Sequence, residues 1–287
     1  MFGDCDYVMD ERKAIFIVNG YRHPPHGIYV TKVYEPAFDG DRLNRNGLRY
    51  RKVVKDESEL VPLRRVTAHW TPCIVQPRQL HGPWKHICEA LLRLGVPAQE
   101  VRIFGATLVG FPLRKDVDFI IYGLENLKAV KVGIEDLKEE LGVSGLSLEH
   151  IRYQAKKFEA THDPRYTTFE KTLANKWSSL QVKKGVATTL RFALRPEEVT
   201  DLFRVDLSQR GKMKTLHGEV VEDFLTNVRP RIFTIKTRKK EYTVKTLYWA
   251  YQACVKKGDL VTVRGDLLDD GTLVLRKKHH GIRIEDA

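Results

Sequence analysis

Residues 101–122 read VRIFGATLVGFPLRKDVDFIIY, and they are the most informative part of the sequence. It predicts an apolar strand, a tight turn at Gly105, a connecting segment, and a second strand that carries Asp116 and Asp118. Because side chains alternate between the two faces of a strand, the two carboxylates point the same way, with Cα atoms roughly 6.6 Å apart. Two carboxylates aimed at one place repel each other unless a cation lies between them.

The chemistry that this stretch predicts is nucleotidyl or phosphoryl transfer. Hard oxygen ligands in such an arrangement suit Mg²⁺ or Mn²⁺, which also bind substrate phosphates. The turn at Gly105 can bring backbone N–H groups close to phosphate oxygens. The alternative is that both aspartates are surface residues at a strand end. Because Asp is depleted in strands and costly on the face of an apolar run, the metal site is the favoured interpretation.

The same residues resemble a known family. The pattern begins with an apolar residue, Gly and a small residue at 104–106, and after nine residues it continues with Asp-apolar-Asp-apolar at 116–119. It is similar to the motif of the polymerase-beta-like nucleotidyltransferase superfamily. Residues 15–24, 47–51 and 176–177 resemble more narrowly a group of predicted nucleotidyltransferases common in archaea. The family usually has Ser after the Gly, whereas this chain has Ala106 and lacks that hydroxyl.

The resemblance implies an enzyme that moves a nucleoside monophosphate from an NTP to an acceptor hydroxyl. Two Mg²⁺ or Mn²⁺ ions about 4 Å apart would be held by carboxylates. The implied metal ligands and catalytic residues are Asp116, Asp118 and Asp206. The implied phosphate-binding residues are Gly105, Ala106, Thr107, Arg114 and Lys115.

The third carboxylate is the least specific of these assignments. Asp206 fits the superfamily's later strand because residues 203–207 are otherwise mostly apolar. A strand-end Asp that caps the turn at Ser208 is an equal alternative, and Asp201 is a weaker candidate.

The net charge of +12 is concentrated near the end of the sequence. Between Arg229 and Arg283 there are fourteen Lys and Arg against five Asp and Glu. Such density is typical of a polyanion-binding surface, although a lysine-rich surface without a partner gives the same count. The candidate nucleic-acid contacts are Arg238, Lys239, Lys240, Arg276, Lys277 and Lys278. RNA is the favoured acceptor.

The order of the patterns predicts an α+β protein: a nucleotidyltransferase-like mixed sheet with helices, flanked by two β regions. We expect an N-terminal antiparallel β domain at 1–78, the transferase-like domain at 79–225, and a basic C-terminal β module at 226–287. An OB-like barrel fits that module, in which residues 260–264 and 272–276 predict a hairpin. Helices are expected near 83–94, 134–141, 146–159 and 168–180.

Several other patterns have plainer interpretations. Residues 105–110 have Walker-like glycine spacing, but Phe111 and Pro112 stand where Lys and Ser/Thr are required. His23 and His26 fit a solvated turn better than a metal site. Trp177, beside Lys176, could stack on a base, but it is more often a core residue.

We expect a cytoplasmic protein without a membrane anchor. No apolar run approaches the length of a membrane span, and the N-terminus lacks a signal-peptide core. The four cysteines are far apart and form neither a zinc site nor a disulfide framework.

Two alternative functions remain open beside the transferase. One is a nucleic-acid-binding protein with an inactive transferase fold. The other is a nucleotide-binding partner protein of a two-protein system. The donor nucleotide and the oligomeric state do not follow from the sequence.

Overall fold

The chain is a mixed α+β protein in which several antiparallel and mixed sheets accompany few helices. A computed structural model describes residues 2–44, 46–53, 58–106, 108–111, 117–160, 162–183, 186–205, 209 and 211–285. The chain divides into two compact units. The first comprises residues 1–53, 59–147 and 177–200, and the second comprises 54–58, 148–176 and 201–287. Across the described ranges, no helix has the length and apolar character that crossing a membrane requires.

The first unit begins with a seven-stranded sheet. Its strands are β1 (Tyr7–Asp10), β2 (Ile15–Val18), β3 (Gly27–Pro36), β4 (Arg42–Leu43), β5 (Arg49–Lys52), β6 (Glu59–Pro62) and β7 (Val66–Trp70). They follow the order β4-β5-β3-β2-β1-β7, and β6 also pairs with β3. All of these pairs are antiparallel, which agrees with the alternating pattern of the N-terminal residues. Apolar side chains of β1, β2 and β3, including Val8, Phe16 and Val30, form its core.

A second, five-stranded sheet contains the two strands predicted from residues 101–122. Its strands are β8 (Cys73–Ile74), β9 (Val101–Phe104), β10 (Asp118–Tyr122), β11 (Ser179–Lys183) and β12 (Val186–Ala193), in the order β11-β12-β10-β9-β8. β9 and β10 are antiparallel neighbours, whereas β10 and β12 run parallel. Phe119 and Ile121 are fully buried on one face of β10, where β12 contributes Leu190 and Phe192.

Two helices of the first unit pack together, and the second packs on this sheet. α1 (Pro83–Arg93) begins with a proline, which lacks the N–H that a first turn leaves unpaired. It buries Ile87, Cys88, Ala90 and Leu91. α2 (Leu124–Leu141) is longer than the helix expected at 134–141, because its buried positions continue back to Leu127.

The second unit contains a closed barrel. Its strands are β13 (Lys212–Glu222), β14 (Arg231–Lys236), β15 (Glu241–Thr246), β16 (Leu260–Leu267), β17 (Leu273–Leu275) and β18 (Gly281–Ile284). The order β13-β14-β15-β17-β16 closes through a β13–β16 pairing, and β18 joins β16. Within the ring, β15 and β17 are parallel and the other pairs are antiparallel. The hairpin predicted at 260–276 is confirmed by the pairing of β16 with β17.

Two helices accompany the barrel in the second unit, α3 (Leu148–Glu159) and α4 (Phe169–Ala174). Phe158 of α3 stacks on Phe169 of α4 at 5.7 Å between ring centroids. Phe169 in turn stacks on Tyr251, which lies between β15 and β16. The helix predicted at 168–180 is wrong beyond Ala174, because residues 179–183 pair with β12 as a strand.

Candidate functional site

The turn at Gly105 places backbone directly beneath the carboxylate of Asp118. Asp118 pairs with Phe104 across the β9–β10 ladder, so the chain reverses immediately after Phe104. Gly105 has φ +91°, and a Cβ at this position would lie 2.9 Å from Oδ2 of Asp118. A side chain here would therefore be strained by the positive φ and would displace the Asp118 carboxylate. The backbone conformation is the reason that favours glycine.

The loop after Gly105 is folded back on itself by backbone hydrogen bonds. The N–H of Leu108 donates to the carbonyl of Gly105 at 3.1 Å, and the N–H of Phe111 donates to that of Ala106 at 3.1 Å. Phe111 itself is buried and anchors the far end of the loop. The loop is thus a compact structure that brings bare backbone close to an acidic side chain.

A cation on β12 and a buried phenol on β1 of the seven-stranded sheet lie near Phe104, the residue that pairs with Asp118. The guanidinium of Arg191, on β12, lies 4.5 Å from the ring centroid of Phe104. The ring of Tyr7 lies 6.5 Å from that of Phe104. Burial raises the pKa of Tyr7 well above its ordinary value, with a further rise from Tyr34, while the charge of Arg191 lowers it and that of Asp118 raises it. The charges of Arg191 and Asp118 therefore both act on the phenol of Tyr7.

Only part of the predicted site lies in the described residues. Gly105, Ala106 and Asp118 are described, and the structure brings them together. Asp116, Thr107, Arg114, Lys115 and Asp206 lie outside the described residues, so their positions stay predictions. Before Asp206, residues 201–203 form a 3-10 helix rather than the expected strand. Among the residues that the structure describes, no three His, Cys, Asp or Glu side chains converge to hold a metal.

The first basic cluster, Arg238 to Lys240, is the turn between β14 and β15. All three side chains are exposed, and within the described chain none of them forms an ion pair. Oγ1 of Thr237 accepts from the N–H groups of Lys239 and Lys240, both at 3.2 Å, and donates to the carbonyl of Lys240 at 2.8 Å. Nζ of Lys240 lies 4.7 Å from the ring centroid of Tyr242. Three cations are thus presented on an ordered turn beside an aromatic ring.

The second basic cluster, Arg276 to Lys278, surrounds a buried carboxylate instead. Asp266 is 1% exposed and accepts from Arg276 at 2.9 Å and from Lys277 at 2.9 Å. Burial would raise the pKa of Asp266, but hydrogen bonds from Lys277 and Arg276 and the neighbouring His280 lower it below its ordinary value. Lys278 is exposed, and its carbonyl accepts from the N–H of Asp163.

His280 completes the environment of Asp266. It is fully buried, and Nδ1 accepts from the N–H of Arg276 at 3.1 Å. Nε2 lies 3.5 Å from Oδ1 of Asp266. Burial lowers the pKa of His280 to about 4, against the opposing effect of Asp266. The imidazole is therefore neutral at pH 7, with its proton on Nε2.

Two further candidates, Trp177 and His23, lie within the described residues. Trp177 packs against Phe192 of β12 at 5.7 Å between ring centroids. His23 is partly buried rather than solvated, and Nδ1 accepts from the N–H of Tyr29 at 3.2 Å. Burial lowers the pKa of His23 to about 4.

Arg191 and Tyr7 were not among the site residues predicted from the sequence. A charged residue within the apolar run at 186–194 was a signal for Arg191. Tyr7 gave none, since its neighbours come from a sheet formed by distant residues. Comparison of the chain with protein-family models, curated proteins and solved structures finds no match.

Proposed function

We propose that the protein is a metal-dependent nucleotidyltransferase that moves a nucleoside monophosphate from an NTP to an acceptor hydroxyl. The observation that carries this proposal is the close approach of the Asp118 carboxylate to the turn at Gly105. Gly105 puts no side chain of its own over the backbone N–H groups of the turn, and a carboxylate that could hold a cation between itself and a phosphate lies beside it. This combination supports the family resemblance of the motif.

The residues of the site fit a divalent cation. Asp118 supplies hard oxygens beside the phosphate-binding turn, and Asp116 precedes it by two residues. Mg²⁺ or Mn²⁺ held by this pair would neutralise charge on the nucleotide phosphates. Gly105 and Ala106 would orient the triphosphate through backbone amides, and Arg114 and Lys115 would oppose the charge that develops on it.

The proposed reaction forms a bond between the acceptor oxygen and the α-phosphorus. The bond from that phosphorus to the bridging oxygen breaks, and pyrophosphate leaves with the electron pair. The acceptor hydroxyl gives up its proton, and Asp206 is the proposed residue that favours this loss.

We also propose that the barrel is of the OB type and binds nucleic acid, with RNA as the favoured acceptor. The arrangement of five strands supports that assignment. They follow the order β13-β14-β15-β17-β16, the ring closes between β13 and β16, and β15 and β17 are parallel. OB-folds bind oligonucleotides across their second and third strands. Here these are β14 and β15, and the turn joining them carries Arg238, Lys239 and Lys240.

A nucleic-acid-binding protein with an inactive transferase fold is the second candidate. Two observations favour it. Ala106 lacks the phosphate-binding hydroxyl that the family usually has. The charged side chain that reaches Phe104 from β12, on the far side of β10, is Arg191, a cation, where a further metal ligand would be a carboxylate.

Metal-dependent release of pyrophosphate separates the two candidates. We expect the full chain with Mn²⁺, an RNA acceptor and each of the four α-³²P-labelled ribonucleotides to yield labelled acceptor with at least one of them. Asp116→Asn with Asp118→Asn should abolish labelling and the rise in Tm that metal with NTP produces in the wild type. Asp136→Asn, an exposed carboxylate on α2, is the matched control and should retain both. No labelling and no metal-dependent Tm shift in the wild type would leave the binding protein as the function.

A further inference from the structure

Residues 36–44 and 46–52 form an arm with a fully exposed aromatic ring. Phe38 lies in the turn between β3 and β4, where the N–H of Gly40 donates to the carbonyl of Ala37 at 3.0 Å. Its side chain is 101% exposed, more than any other large apolar side chain in the described part of the chain. A phenylalanine held entirely in water at the tip of an ordered turn forgoes a burial that would be favourable by about 2 kcal/mol. A partner that covers the ring would recover this free energy of burial.

The arm is ordered rather than loosely attached. The N–H of Ala37 donates to the carbonyl of Arg49 at 3.1 Å. Gly40 crosses so close to β5 that a Cβ there would lie 2.4 Å from the carbonyl oxygen of Tyr50. Arg51 donates to both carboxylate oxygens of Asp39 at 2.8 and 3.0 Å, on the turn that carries Phe38. The backbone of the turn that carries the ring is therefore held in place, which lowers the entropy cost of binding.

The arm is basic. From residue 38 to residue 52 the sequence has five cationic side chains and two anionic ones, an excess of three positive charges. The cations are Arg42, Arg45, Arg49, Arg51 and Lys52, and the anions are Asp39 and Asp41. The described members of this set are held by local contacts: Arg42 lies over the ring of Tyr34, and Arg49 donates to the carbonyl of Gly40.

The base of the arm is anchored to the loop that begins at Gly105. Tyr34 of β3 and Tyr50 of β5 both pack against Phe111, at 4.8 and 5.5 Å between ring centroids. Phe111 closes that loop through its hydrogen bond to Ala106. The arm and the proposed phosphate-binding turn are thus parts of one packed structure within the first unit.

We propose that this arm binds single-stranded nucleic acid, with a base stacked on Phe38 and the strand's phosphates held by the surrounding arginines. An exposed ring together with cations is what a single strand requires, since every base has a π-face and every nucleotide carries a negative charge. The arm also exposes Leu43 and Leu48, so an apolar protein surface is the competing occupant, and the excess of positive charge favours a nucleic acid over it. The arm's role as the holder of the acceptor rests on the proposed transferase function, whereas its binding of the strand does not.

The test is binding of a fluorescein-labelled 12-nucleotide RNA to the full chain, measured by anisotropy without metal or NTP. Phe38→Ala should weaken binding by about 5- to 100-fold, the range for loss of one stacked base. Phe38→Tyr should retain the affinity, and Phe38→Leu should lose it as Phe38→Ala does, because stacking needs an aromatic ring and not merely an apolar one. Val132→Ala, at an exposed apolar residue of α2, is the control and should have no effect. The same oligonucleotide annealed into a duplex should bind equally well to wild type and Phe38→Ala.

Three outcomes would overturn the proposal. One is equal binding of the single strand by wild type and Phe38→Ala. Another is full retention by Phe38→Leu, which would indicate apolar docking of a protein. The third is a dimer of the wild type that Phe38→Ala dissociates in sedimentation, which would identify a second copy as the occupant. Because no metal or NTP is present, failure here is distinguishable from failure of the transferase.

Discussion

The tripeptide Arg-Lys-Lys occurs twice in the barrel, at 238–240 and at 276–278, in opposite environments. At 238–240 the three side chains are exposed on a hairpin turn. At 276–278 the first two side chains converge on Asp266, which is almost completely buried. Arg276 is 11% exposed in its side chain. The same tripeptide therefore has two different roles. Residues 238–240 present positive charge to the solvent, and Arg276 and Lys277 neutralise a buried carboxylate.

A run of cations therefore indicates a partner only when its counter-ion is not supplied by the protein itself. Burying a lone carboxylate is costly, and Asp266 is tolerated because two cations and an imidazole surround it. Removing the cations would leave that carboxylate uncompensated. The charge excess near the end of the sequence thus overstates the surface available to a nucleic acid.

Asp266→Asn should give the largest effect, because it leaves Arg276 nearly buried without its anion. Loss of one partner of a buried ion pair costs about 3 kcal/mol or more in unfolding free energy. Asp269→Asn, at an exposed position in the same hairpin, should change stability by less than about 0.5 kcal/mol. Urea denaturation followed by circular dichroism measures both. Equal stability of the two variants would show that Asp266 does not hold the second tripeptide.

Acid should weaken the Asp266 environment through His280. Its folded pKa of about 4 lies below the ordinary value of 6.5, so the unfolded chain binds the proton more tightly. Stability from this group is complete above pH 6.5 and falls as pH drops toward 4, by about 2 kcal/mol between pH 7 and 4.5. Asp266, whose pKa is lowered, loses its contribution only below this window.

The measurement is Tm against pH for the wild type, His280→Gln and His81→Gln. The charged and titratable neighbours of His280 are Asp266, Arg276, Lys277 and His279. His280→Gln should flatten the curve between pH 6.5 and 4, and His81→Gln, at an exposed position of the first unit, should leave it as in the wild type. A His280→Gln curve parallel to that of the wild type would contradict the assignment.

The sequence predicted elements whose patterns are local. The strand at 101–104 and the hairpin at 260–276 followed from apolar runs and turn residues. By contrast, β13 begins at Lys212, ahead of the expected module at 226–287, because most of its side chains are exposed and no apolar face marks it. Residues 179–183 could have continued a helix, and only their pairing with β12 makes them a strand.

In the candidate site too, contacts between residues of one motif could be predicted, and contacts between residues far apart in the sequence could not. The contact of Gly105 with Asp118 was predictable because it joins adjacent strands of one motif. The position of Arg191 depends on the pairing of β12 with β10, and that of Tyr7 on how two sheets of the first unit meet, which no local pattern records. The burial of Asp266 likewise depends on side chains that approach it from another strand and the segment after it.

The smallest effect should come from the exposed tripeptide, and it should appear in binding rather than in stability. Lys239→Glu with Lys240→Glu should lower the affinity for RNA by about tenfold near physiological salt and reduce the slope of log Kd against log salt by about 2. Tm should stay within about 2 °C of the wild type, because both side chains are exposed. Arg276→Glu with Lys277→Glu should instead lower Tm substantially, since it places new anions against Asp266. If the first variant unfolded more easily and the second bound RNA less tightly at unchanged Tm, the assignment of the two tripeptides would be reversed.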